Sequence, residues 1–139
     1  MGLILDSSVL IAGERRDQSI RQILDQLRAM HGETEAALSV VTVLELTRGI
    51  YRAKTEAHRA RRRAFAEEVY RDMVVHPVSF EIAQLAGRIE AEQMAQGIGI
   101  AFQDLLIEAT ALHLGFDVAT LNIRHFQKIP GLKIVSPLS

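Results

Sequence analysis

Leu3-Ile4-Leu5-Asp6-Ser7-Ser8 is a fully apolar run that stops at a carboxylate. A short, non-alternating apolar strand suits the centre of a parallel sheet covered on both faces, and such a strand delivers its last residue to the crevice beyond its carboxyl end. Asp6 then stands where ligands bind. The same residue also suits helix entry, with Ser7 or Ser8 capping a short helix through Ile11. Taken alone, Asp6 leaves both accounts open.

Working outward, Ile20, Ile23, Leu24 and Leu27 recur at helical spacing between Ser19 and Met30, ended by Gly32. A second strand over 36–39 leads into a helix over 41–51, and a charged helix follows over 56–72. Met73-Val74-Val75 reads as a third strand, since His76 precedes Pro77 and is pushed toward extended backbone. A long helix over 79–96 is broken at Gly97 and Gly99, and another spans 102–114 before Gly115. Val118 to Leu121 gives a fourth strand and Lys133 to Val135 a fifth. Strands alternating with helices predict an α/β fold with a short, mostly parallel sheet of about five strands between helical layers, formed by one domain over 1–139.

The 139 residues carry 16 Lys+Arg against 17 Asp+Glu, so net charge neither demands nor forbids a nucleic-acid partner. The chain has no cysteine, which excludes disulfides and thiolate metal sites and leaves carboxylates, imidazoles and amides as metal ligands. No apolar run approaches the roughly 18 residues of a membrane span, and the expected setting is soluble and cytoplasmic, without a membrane partner.

Three further acids sit in odd places. Glu45 interrupts Val40-Val41-Thr42-Val43-Leu44 and Leu46 on a helix face that should be largely buried, where an unpaired carboxylate is costly. Pairing with Arg48, or an exit to solvent, is the plain alternative to a cation. Asp104 opens a helix and suits its dipole. Glu108 lies four residues on, and two acids stacked on one helical face repel unless something cationic lies between them. At the end of the fourth strand, Asn122 emerges beside Asp6 if strands one and four are neighbours. Asp117 precedes that strand, so at roughly 3.3 Å per residue it lies up to ~16 Å away, at the opposite end.

These blocks resemble the PIN-domain family and, within it, VapC-type toxins of toxin-antitoxin pairs. The carriers are Leu5-Asp6-Ser7-Ser8-Val9-Leu10-Ile11, Thr42-Val43-Leu44-Glu45-Leu46-Thr47-Arg48-Gly49-Ile50, Asp104-Leu105-Leu106-Ile107 with Ala109-Thr110-Ala111-Leu112, and Ala119 to Phe126 with Ile129-Pro130-Gly131-Leu132. The resemblance covers essentially the whole chain. It implies a PIN-like three-layer α/β/α fold and a Mg²⁺- or Mn²⁺-dependent endoribonuclease, dimeric and held inactive by a VapB-type antitoxin in a hetero-oligomer. It also implies catalytic, metal-binding acids at Asp6, Glu45 and Asp104, with Thr120 and Asn122 in the site. Many relatives carry an Asp at the position of Asn122 or of His125, and this chain has neither. Glu108 and Asn122 are the candidates to complete the ligand set.

Hard cations of this kind choose oxygen ligands, which the acids supply. An acid pit repels RNA, so a basic rim is expected from Arg48 and Arg52, which follow Glu45 by three and seven residues. Ser7, Arg124 and His125 join Thr120 and Asn122 as candidate substrate contacts. The run Arg59 to Arg63 reads more plainly as a solvated helix face, and His31, His58, His76 and His113 as structural or exposed. Receiver-like and haloacid-dehalogenase-like domains also place an Asp after the first strand. The former would want a nearby second acid and a strand-end lysine, the latter an acid where Ser8 stands. A PIN-like module that binds RNA or protein without cutting is the remaining alternative.

Overall fold

The computed structural model describes residues 2–137, so Met1 and the last two residues of the expected domain lie outside the described residues. Strands β1 (Gly2–Leu5), β2 (Glu35–Ser39), β3 (Val74–His76), β4 (Asp117–Ala119) and β5 (Ile134–Val135) form one sheet in the order β3-β2-β1-β4-β5. Every pairing is parallel. Helices α1 (Ser7–Arg15), α2 (Ile20–His31), α3 (Val40–Tyr51), α4 (Glu56–Asp72), α5 (Phe80–Met94), α6 (Phe102–Leu114) and α7 (Ile123–Phe126) make the connections.

All four residues of β1 are buried, as expected of a central strand. Successive side chains point to opposite faces of a strand, and the core divides accordingly. Leu3 and Leu5 of β1, Leu38 of β2 and Ala119 of β4 pack with Ile20, Ile23, Leu24 and Leu27 of α2 and Phe65 and Val69 of α4. Ile4, Ala37 and Val118, one residue out of phase, pack on the other face with Ile107 and Ala111 of α6. The sheet is therefore covered by helices on both sides. Behind α6, a third cluster joins Ile82, Ala86 and Ile89 of α5 to Leu105 and Ala109.

Helix starts follow local chemistry. Ser19 and Gln22 form a capping box at α2, while Ser39, Thr55 and Ser79 accept backbone N–H groups at α3, α4 and α5. Gly115, at φ 72°, ends α6 in the left-handed conformation and turns the chain into β4. Among the described residues no helix is long and apolar enough to cross a membrane.

Some boundaries differ from expectation. α1 runs on to Arg15 rather than stopping near Ile11, since Gly13 packs in the interior, where a Cβ would meet Ile23 Cδ1 at 2.3 Å. β4 begins at Asp117 and ends at Ala119, two residues short of Leu121, where the Leu121 N–H leaves the sheet to donate to the Ser8 hydroxyl of α1.

From β1 the chain builds outward through β2 to β3, then returns across α5 and α6 to place β4 on the other flank of β1. The direction of building thus reverses between β1 and β4. Leu5 is in register with Ala119, so the first residues beyond each strand, Asp6 and Thr120, emerge together at the switch point.

Candidate active site

Asp6 occupies the N-cap position of α1 with extended backbone, yet its side chain makes no capping hydrogen bond. Ser7 and Ser8, expected as caps, are instead the first helical residues. Asp6 is 3% exposed. The hydroxyls of Ser8 and Thr120 donate to its Oδ2 at 2.7 and 2.9 Å. Both donors thus spend themselves on one oxygen, leaving Oδ1 without a side-chain donor among the described residues. The Asp6 N–H donates to Ala119 at 2.9 Å, extending the ladder to the acid itself. Ser8 Oγ accepts from Leu121 N–H at 3.0 Å and Thr120 Oγ1 from Asn122 N–H at 2.9 Å, which fixes the exit of β4 against the start of α1.

Glu45 lies on α3, partly buried, with Oε1 buried and without a hydrogen-bond partner. Burial, then the charges of Asp6 and Asp104, push its carboxyl above the ordinary range, while a hydrogen bond with Ser7 and the charge of Arg48 pull the other way. Asp104 stands in the first turn of α6. Burial and Asp6 raise its pKa, opposed by His125, whose Nδ1 is 3.4 Å from Asp104 Oδ2, and by Lys128. Glu108 is fully buried, neither of its carboxylate oxygens is hydrogen-bonded, and burial followed by Asp104 raises its pKa to about 9.

The fold therefore draws Asp6, Glu45, Asp104 and Glu108 from three separate stretches into one electrostatic neighbourhood. Carboxylates crowded in this way call for positive charge, and an all-oxygen donor set with unpartnered buried atoms fits a hard divalent cation. Among the described residues, no three His, Asp or Glu side chains are already gathered tightly enough to hold one ion.

The other expected residues are placed unevenly. Arg48 is exposed but acts on Glu45, whereas Arg52, the exposed C-cap of α3, donates its backbone N–H to the Arg48 carbonyl at 3.0 Å. Asn122 is the N-cap of α7, exposed and without a side-chain capping bond, and Arg124 is likewise exposed. Most of the Arg59 to Arg63 run is engaged by the protein rather than solvated. Arg59 bonds Glu56 and the Ala53 carbonyl, Arg61 reaches Asp17 and Glu14, and Arg62 donates to the Gly49 carbonyl at 2.6 Å. A groove of about 140 Å³ leads away from Glu45 between α1, α3 and α4, with Arg15 and Arg62 in its walls. Among the histidines, His76 packs edge-on against Phe116 with a centroid distance of 6.1 Å.

Two site residues carry no chemical signal of their own in the sequence: Ser8 reads as a helix cap, and Lys128 stands two residues beyond Phe126 without a pattern around it. Their roles come from the meeting of β1, β4 and α6, which no local pattern encodes.

Comparison with known proteins adds a consistent picture. A family model described as the PIN domain matches residues 3–132. The chain is 34% identical over 136 residues to Ribonuclease VapC1 of Rickettsia felis, covering 98% of this chain and 96% of that protein. Its fold superposes with a TM-score of 0.84 on a chain of the DNA-bound VapBC structure from Salmonella typhimurium, at 23% identity and 99% and 98% coverage. A chain of VapBC-5 from Mycobacterium tuberculosis gives a TM-score of 0.72 at 27% identity, covering 98% of each.

Proposed function

Because the chain belongs to the PIN-domain family, we propose that it is the ribonuclease toxin of a VapBC pair, an endonuclease that uses Mg²⁺ or Mn²⁺ and is silenced by a VapB-type antitoxin. The observation that carries this reading is the convergence of Asp6, Glu45 and Asp104 at the switch point of the sheet, each of the two helical acids raised in pKa by burial and then by the charge of Asp6. Full-length similarity to a VapC ribonuclease and to chains of VapBC complexes supports the toxin-antitoxin setting. That setting implies action in the cytoplasm, with this chain working as one domain and assembling as a dimer and with its antitoxin.

When bound, a divalent cation supplies charge neutralisation at the scissile phosphate and an acidified water. Asp6 is the fixed point of the site. Its Oδ2 is held by Ser8 and Thr120, which orients Oδ1 for ligation. Glu45 approaches from α3 and Asp104 from α6, and the burial and neighbouring charge that raise both carboxyls are what a bound cation would offset. Ser7 restrains Glu45. His125, whose Nδ1 lies 3.4 Å from Asp104 Oδ2, is read as a contact to the RNA substrate. Arg48, at the mouth of the acid cluster, attracts the RNA backbone, with Arg15 and Arg62 continuing that path along the groove. Arg52, Asn122 and Arg124 form the exposed rim.

The test is RNA cleavage by purified protein with Mg²⁺, with chelator, and with Asp6→Asn. Cleavage that requires the ion and is lost in the variant is expected. Equal cleavage by both proteins, indifferent to chelator, would sink the metal-dependent assignment, and RNA binding without any cleavage would favour a silent PIN-like module.

A further inference from the structure

Glu108 follows Asp104 by one turn of α6, so the two carboxylates share a helical face. It is surrounded in sequence by Ile107, Ala109, Thr110 and Ala111, all buried, and its own exposure is 0%. A side chain serving only to fill this space would be apolar. The nearest hydroxyl on the helix, that of Thr110, is committed to the Leu106 carbonyl at 2.7 Å. Lys128, the one cation that acts on Glu108, is exposed and donates to the Gly99 carbonyl at 3.0 Å rather than forming an ion pair. Both oxygens of Glu108 are left with no partner in the polypeptide among the described residues.

The charges that act on Glu108 are Asp104, Lys128 and Asp6, and Glu45 is not among them. Glu45 in turn responds to Asp6 and Asp104. Glu45 comes to these acids from α3 and Glu108 from the second turn of α6. The end of β4 supplies no acid, since Asn122 is an exposed amide that contributes a backbone N–H to Thr120.

We propose that Glu108 is a cation ligand, the chain's own fourth acid, holding a divalent ion together with Asp104, one turn before it on α6. This rests on the metal-dependent reading above. An acid from within α6 thereby takes the place of one from the end of β4.

Mn²⁺ binding to the purified protein, followed by calorimetry and by the spin-resonance signal of free Mn²⁺, tests the proposal without recourse to activity. Wild type, Glu108→Gln and Asp6→Asn are compared after their folds are checked by circular dichroism. Glu108→Gln should lose one class of Mn²⁺ sites or weaken it at least ~10-fold. Unchanged affinity and stoichiometry in Glu108→Gln, with loss in Asp6→Asn, would overturn the proposal and leave the nuclease reading standing. No Mn²⁺ binding by wild type would overturn both. Should Glu108→Gln fail to fold, Fe²⁺ with ascorbate and peroxide can mark ligand positions in the unmodified protein. Oxidation around residues 104 to 108 supports the proposal, and oxidation confined to the neighbourhoods of Asp6 and Glu45 overturns it.

Discussion

The Thr120 hydroxyl donates to Asp6 Oδ2 at 2.9 Å, joining residues 114 positions apart where β1 and β4 end side by side. Thr120 is fully buried and its oxygen also accepts the Asn122 N–H, so one side chain fixes both the acid and the turn that follows β4. Thr120→Val keeps the shape and removes both bonds. It should cost about 1–3 kcal/mol in denaturant unfolding, because the Asn122 N–H and one Asp6 lone pair lose their partner. RNA cleavage should fall by more than stability explains, as Asp6 loses its orientation. A variant with wild-type kcat/KM would remove Thr120 from the site.

Asp104 carries a charge that burial and Asp6 disfavour. Asp104→Asn removes that repulsion, so the metal-free variant should melt about 3 °C higher than wild type while RNA cleavage falls to background. Lower melting together with lost cleavage would instead make Asp104 a structural residue, through its contact with His125.

Glu108 makes metal-free stability depend on pH. Its folded pKa of about 9 lies above the ordinary 4.5, so the folded chain holds a proton that the unfolded chain releases. The corresponding stability is complete below about 4.5 and declines as pH rises through 9. Between pH 7 and 9 the unfolding free energy should fall by about 1 kcal/mol per pH unit. Glu108→Gln should flatten that slope. Identical slopes in chemical denaturation of the two proteins would contradict the shift.

Arg48 acts on Glu45, whereas Arg52 lies a further turn along, at the exposed C-cap of α3. Arg48→Ala should therefore weaken binding of a single-stranded RNA and reduce the slope of log K against log salt by ~0.7, the value for one phosphate contact. Arg52→Ala should change the slope less. A larger effect at Arg52 would move the RNA path away from the groove beside Glu45.

The chain's own pattern carried a large part of this. An apolar β1 ending in Asp6, strands alternating with helices, and a glycine-ended α6 are local features, and secondary structure follows local periodicity and capping. Asp104 and Glu108 could be put on one face from spacing alone. Whether that face is buried was not legible, since burial depends on what packs across it. The Arg59 to Arg63 run illustrates the same limit. A charge run reads as solvated, yet Arg59, Arg61 and Arg62 find partners because α4 lies against α1 and α3.

The sequence by itself determined a parallel α/β chain with an acid leaving its first strand. Tertiary structure decided what that acid meets. Strand order is set by long-range packing and crossover connections, and only the placement of β4 beside β1 brings Thr120 to Asp6 and α6 over the same crevice. Only burial on α6 leaves both carboxylate oxygens of Glu108 without a hydrogen-bond partner among the described residues.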